Sequence, residues 1–166
     1  MSALQRSSRR GLSRRDVGAG LVAGVAALLA NVLFHASMVA RIALSDPAGV
    51  LSYFDWDPLV VYPLVVTPVA AVLVGTAVWR LIVPDEPTPR RGAAAGVVTA
   101  FASLLALAAV FGLFAGVSAP FDALGQFVFI AGLVFLFGAV GTAAVIAPLG
   151  ALVGYGYERY LSRRFQ

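Results

Sequence analysis

Few side chains in the apolar part of this chain could do chemistry. Asn31 and His35 lie four residues apart, so they would share one face of a helix. Tyr62, Thr67 and Gln126 belong to later apolar stretches and are expected at a comparable depth. Together these five residues predict a small polar pocket, which could bind a ligand or transfer a proton through the imidazole.

Two other interpretations of His35 remain open. A histidine near the end of a membrane helix commonly hydrogen-bonds a neighbouring backbone group or hydroxyl, and we favour this simpler role. Haem ligation by His35, with Met38 or a second subunit's histidine as the other ligand, is the least favoured interpretation. The chain has one histidine and no cysteine, which excludes disulfides, zinc–thiolate sites, iron–sulfur clusters and multi-histidine metal sites within one chain. We therefore expect no cofactor.

The sequence also lacks the motifs of the common enzyme classes. It contains no nucleophile elbow, no phosphate-binding glycine loop and no His–Glu metal motif. No pair of carboxylates lies within an apolar stretch, as a proton-coupled transporter would often need. We predict that the protein is not an enzyme.

Four long apolar stretches must position these residues. The chain is 60% hydrophobic and only 12% charged, whereas a soluble domain carries about 25% charged residues. Each stretch exceeds the roughly 20 residues that a transmembrane helix needs. The sequence predicts an all-α, polytopic membrane protein, a four-transmembrane-helix bundle with spans at 18–43, 59–82, 92–117 and 124–150. These spans form one domain from 17 to 157, flanked by a disordered basic tail at 1–16 and a basic tail at 158–166.

The arginines predict the orientation of this bundle. One side of the membrane would hold 11 of the 12 arginines and a net charge of +7, and the other side a net charge of −3. Because arginine-rich loops stay cytoplasmic, we expect both termini in the cytoplasm (N-in/C-in) of a plasma-membrane protein. The pI near 10.1 could suggest nucleic-acid binding. The position of the arginines at helix ends explains it without a nucleic-acid partner.

The N-terminus has a second possible meaning. Arg14 and Arg15 before an apolar run resemble a twin-arginine export signal, with Ala43-Leu44-Ser45 as its cleavage site. The apolar run is longer than a usual signal core, and three further spans follow it. We therefore expect an uncleaved first helix, with a cleaved signal as the alternative.

Composition gives one resemblance. The chain is rich in alanine, valine and glycine and lacks lysine and cysteine, which resembles small four-helix membrane proteins of halophilic archaea, many without an assigned function. The resemblance implies a membrane fold and brings no functional motif.

Small-residue pairs such as Gly20/Gly24 and Gly92/Gly96 favour close packing of helices within the chain, with an oligomer interface as the alternative. The leading hypothesis is a non-catalytic membrane protein or accessory subunit, whose partners are the lipid bilayer and other membrane-protein subunits or a second copy. The alternative is a small channel or transporter component with an outward-facing polar vestibule around His35.

Overall fold

The computed structural model describes residues 12–53, 58–83, 88–119 and 121–164, and every structural statement concerns these segments. They form five helices: α1 (Arg14–Ser45), α2 (Gly49–Ser52), α3 (Pro58–Ile82), α4 (Pro89–Ser118) and α5 (Ala123–Arg164). The described segments contain no strand. Four of the helices, all except α2, are long and apolar enough to cross a membrane. The predicted all-helical architecture with four long apolar helices is confirmed.

The first and last helices extend into the predicted tails. α1 begins at Arg14 because Ser13 and Asp16 form a capping box. The Ser13 hydroxyl accepts a hydrogen bond from the Asp16 N–H, and the Asp16 carboxylate accepts one from the Ser13 N–H, both at 3.1 Å. α5 continues through Pro148 as a single helix of 42 residues. The predicted tail boundaries therefore fall inside helices, and residues 1–11 lie outside the described segments.

The long helices pack in chain order. α1 lies against α3, α3 against α4, and α4 most extensively against α5. The described hydrogen bonds between α1 and α5 join Arg15 to Glu158 and to Tyr157, all at one end of the bundle. This end, where α1 and α4 begin and α3 and α5 finish, is called the arginine-rich end. From this end toward the opposite one, a crevice runs between α1 and α5, and residues of α3 and α4 also line it.

Glycine allows the closest of these helix contacts. A Cβ at Gly96 of α4 would overlap the carbonyl oxygen of Gly150 of α5, and a Cβ at Gly154 would overlap that of Gly92. Gly20 of α1 has the same relation to the backbone of α3. At Gly20, Gly92 and Gly96, the predicted role of small residues in packing within the chain is confirmed.

Candidate functional site

His35 lies on α1 toward the opposite end of the bundle and is 8% exposed. Its Nδ1 is 2.7 Å from the hydroxyl of Tyr53, just after α2, in a hydrogen bond whose donor depends on the histidine tautomer. Nε2 has no hydrogen-bond partner among the described residues. Burial raises the pKa of Tyr53, so its hydroxyl remains protonated well above neutral pH. The geometry is that of a local hydrogen bond between a histidine and a hydroxyl.

The structure brings together two of the other four residues of the predicted pocket. Asn31 and Thr67 both line the α1–α5 crevice. Tyr62 instead stacks on a phenylalanine of α4, with ring centroids 5.0 Å apart. Gln126 is half-buried on α5 and is not among the residues that line the crevice. Because His35 does not line the crevice either, a vestibule centred on it stays a prediction.

The α1–α5 crevice has a volume of about 470 Å³, within the range of about 300–1,000 Å³ that is usual for small-molecule pockets. Alanine, valine and leucine side chains form most of its walls. The hydroxyls of Thr67 and Thr99 have no hydrogen-bond partner among the described residues. Those of Ser103 and Thr142 donate to carbonyls of their own helices. The crevice is therefore apolar, with two uncommitted hydroxyls.

At the arginine-rich end, the side chain of Glu158 is completely buried. Its Oε1 accepts hydrogen bonds from Arg15 Nε at 3.2 Å and from Trp79 Nε1 at 2.8 Å. Its Oε2 accepts from Arg15 Nη2 at 2.5 Å and from the backbone N–H of Thr88, the N-cap of α4, at 3.1 Å. These four residues, which we call the Glu158 clasp, join α1, α3, α5 and the start of α4.

The clasp satisfies its carboxylate fully. An ionised carboxylate offers about four acceptor positions, and Glu158 accepts four hydrogen bonds. Arg15 supplies two of them in the paired geometry that guanidinium and carboxylate groups favour. The N-terminal end of α4 also carries a partial positive charge, which favours a nearby anion. With its acceptor positions filled, Glu158 is suited to anchoring helices.

Neighbouring residues enclose the clasp. The hydroxyl of Tyr157 donates to the backbone carbonyl of Arg15 at 2.8 Å. The Tyr157 ring packs edge-to-face against Trp79, with centroids 6.1 Å apart. Gly92 leaves room for the glutamate, because a Cβ at this position would overlap Cγ of Glu158. These contacts explain how the carboxylate of Glu158 is kept from solvent, while the side chain of Arg15 remains 18% exposed.

The clasp was not predicted from the sequence. Glu158 was expected in a basic tail, because the predicted fourth span ends at residue 150. One signal was present: Glu158 is the only acidic residue after Asp122 and lies next to arginines and tyrosines. A single acidic residue at the end of a long apolar helix suggests a partner, although the sequence does not say which arginine.

A second cavity, of about 500 Å³, lies beyond Tyr157 at the arginine-rich end. We call it the basic pocket, and its lining residues are Arg14, Arg15, Tyr157, Tyr160, Leu161 and Arg164. The guanidinium of Arg164 lies over the ring of Tyr160, 5.8 Å from its centroid. Because Tyr157 lines both cavities, the basic pocket and the crevice follow one another along α1 and α5.

Within the described segments, no three histidine, aspartate or glutamate side chains lie together as a metal site would require. No protein-family model, curated protein or solved structure matches this chain. The function must therefore be inferred from the chain's own residues.

Proposed function

We propose that this protein is a small, non-catalytic, multi-pass protein of the plasma membrane that acts as an accessory subunit, packed against other membrane components. The proposal rests mainly on the exposure of the apolar segment of α5. In its most apolar segment no residue is buried within the chain, whereas 17–28% are buried in the corresponding segments of the other three long helices. Within its most apolar segment, the last helix thus has fewer buried residues than the other three long helices.

The exposed face of α5 is large and apolar. Phe129, Phe137 and Val140 are 60%, 69% and 76% exposed. Contiguous apolar surface of this kind marks membrane or protein contact. A Cβ at Gly132, in the same half of α5, would meet no atom within 4 Å. Such an uncovered glycine lets another helix approach closely.

The polar groups support the same conclusion. The Glu158 clasp and the bond between His35 and Tyr53 connect parts of this chain to each other. Hydroxyls such as those of Ser103 and Thr142 are bonded to their own helices. These groups serve the assembly of the bundle, which is consistent with a non-catalytic protein.

Photo-cross-linking from α5 tests the accessory role. A photoreactive phenylalanine analogue at Phe137, irradiated in native membranes, should give a product of defined mass that contains a second protein chain. The matched control is Phe127 on the same helix, which faces Gly112 of α4 and should cross-link within the chain. Lipid adducts alone at Phe137, together with migration as a monomer in mild detergent, would reject the accessory role.

The orientation is part of the proposal, with the arginine-rich end in the cytoplasm. Arg14, Arg80 and Arg164 are exposed at that end, and cytoplasmic loops carry an excess of basic residues. The chain has no cysteine, so single-cysteine variants report cleanly. In intact cells, a membrane-impermeant maleimide should label Ser45→Cys and should leave Gln166→Cys unlabelled until the cells are broken. The reverse labelling pattern would show that the arginine-rich end lies outside the cytoplasm and would contradict the proposed orientation.

The alternative, a channel or transporter component with a vestibule around His35, has less support. The crevice walls are mainly apolar, and ion pathways are usually lined by carbonyls or charged side chains. A change in solute flux on His35→Ala in reconstituted vesicles would favour this alternative.

A further inference from the structure

The crevice and the basic pocket differ in chemistry but adjoin one another. Tyr157 lines both. On α1 the lining of the crevice runs from Ala19 to Phe34, a distance of about 22 Å at 1.5 Å per residue. This apolar length ends at the arginine-rich end, where the basic pocket begins. A molecule that fits both would have a long apolar part and an anionic group at one end.

Two arginines of the basic pocket carry charges that no described acidic side chain neutralises in an ion pair. Arg15 is held by Glu158, but no ion pair joins Arg14 or Arg164 to a described residue. The nearest acidic residue on α1, Asp16, is 4% exposed and is occupied in the capping box with Ser13. The pocket therefore has a net positive charge, and basic pockets between membrane helices bind anionic lipid headgroups.

The lining of the crevice suits a hydrocarbon chain. Alanine, valine and leucine side chains form most of its walls, and the helices that border it are long and apolar enough to cross a membrane. A hydrocarbon chain needs no polar partner, and it could enter sideways between α1 and α5 without leaving the membrane interior.

We propose that this surface binds one anionic membrane lipid, with its phosphate against Arg14 and Arg164 and one hydrocarbon chain in the crevice. The inference rests on the membrane location in the proposed function and not on the accessory role. A protein that proves to be monomeric would still bind the lipid, so the two proposals can fail separately.

Native mass spectrometry of the full chain in mild detergent tests the headgroup contact. Phosphatidylglycerol and phosphatidylcholine with identical chains are the two probes. One phosphatidylglycerol should be retained per protein, and phosphatidylcholine much more weakly. The double variant Arg14→Gln/Arg164→Gln should weaken phosphatidylglycerol retention about 30-fold. Each arginine near an anionic surface contributes about 1 kcal/mol, and the loss of two such contributions corresponds to this factor. Equal retention of the two lipids, or no effect of the double variant, would overturn the proposal.

The control for charge is Arg90→Gln/Arg91→Gln, which removes the same charge from exposed positions of α4 outside the basic pocket. Its retention of phosphatidylglycerol should equal that of the wild type. A loss of retention as large as that of the Arg14/Arg164 variant would show that the lipid is attracted by net charge alone, and it would also reject the proposed headgroup site.

Filling the crevice tests the position of the chain. Ala27→Phe places a ring in the crevice and should abolish retention, whereas Val25→Phe, which is 58% exposed and outside the lining, should not. Thermal unfolding in detergent establishes that each variant is folded. As a measurement on the unaltered protein, phosphatidylglycerol with a diazirine in its chain should cross-link to crevice residues such as Ala30 and Val145. Cross-links confined to the outer face of α5 would overturn the assignment.

Discussion

The two ends of this bundle use buried polar groups in different ways. At the arginine-rich end, Arg15 and Glu158 are 143 residues apart in sequence, and the clasp joins all four long helices. At the opposite end, His35 and Tyr53 are 18 residues apart, and their bond ties α1 to the short segment that follows it. The clasp determines how the helices are arranged, whereas the histidine fixes a connector. The role of a buried polar group is therefore indicated by where its hydrogen-bond partners lie in the chain, on distant helices or in a neighbouring segment, and not by its burial alone.

The same contrast appears in the spacing of α1 and α5. Hydrogen bonds join the two helices at the arginine-rich end. Farther along, the crevice lies between them. The closed end should therefore account for most of the bundle's stability, and the open part is where a ligand can be accommodated.

Removing one partner of the clasp should have the largest effect. Arg15→Ala leaves the carboxylate of Glu158 buried without its countercharge, which should lower the free energy of unfolding by about 3–5 kcal/mol. Denaturation of the purified protein in detergent, followed by circular dichroism, measures the change. The exposed neighbour Arg14 is the control, and Arg14→Ala should change the free energy of unfolding by less than about 0.5 kcal/mol.

The double variant Arg15→Leu/Glu158→Leu sharpens the same test. Because it removes both charges, it should recover much of the stability lost in Arg15→Ala. If Arg15→Ala is no more harmful than Arg14→Ala, the clasp does not hold the bundle together, and the contrast between the two ends disappears.

Glycine substitution should have an intermediate effect at the closed contact between α4 and α5. Gly96→Ala forces a Cβ against the backbone of Gly150 and should cost about 1–3 kcal/mol of unfolding free energy. The matched control is Gly132→Ala, where a Cβ meets nothing, and it should be neutral or stabilising by up to about 1 kcal/mol. Equal losses in the two variants would mean that the close backbone approach is not retained in detergent.

The smallest effect is expected at the connector. Tyr53→Phe removes the hydrogen bond to His35 and should lower the free energy of unfolding by about 0.5–1.5 kcal/mol. Burial raises the pKa of Tyr53 above its ordinary value of 10.0. Folding thus favours the protonated phenol, so its contribution is present below pH 10 and is lost as the pH rises through the folded-state pKa. The difference from wild type should shrink above pH 10, and a difference that grows there would contradict this assignment.

Composition and length were sufficient to predict the long helices. The predicted span 59–82 agrees with α3 to within one residue at its start. The ends of α1 and α5 were predicted less well. A capping box and a helix that continues through Pro148 extend both helices into segments whose arginines indicate a tail.

The helix faces that meet could not be predicted in the same way. When nearly every side of a helix is apolar, periodicity does not distinguish the face that packs inside from the face that contacts lipid. The contact of Tyr53 with His35 depends on the fold of the connector between α1 and α3. The contact of Glu158 with Arg15 depends on how the first and last helices are placed, which no local pattern contains.

The separation of Arg15 and Glu158 along the chain also sets an order of events during synthesis. A ribosome adds about 5–20 residues per second, so roughly 7–30 s pass between the synthesis of the arginine and that of the glutamate. During that interval Arg15 has no Glu158 to bind and belongs to the N-terminal arginine cluster that would orient the first helix in the membrane. Once the last helix is made, the same guanidinium is taken into the bundle. The same arginine can thus help to orient the first helix during insertion and later bind the last helix through Glu158.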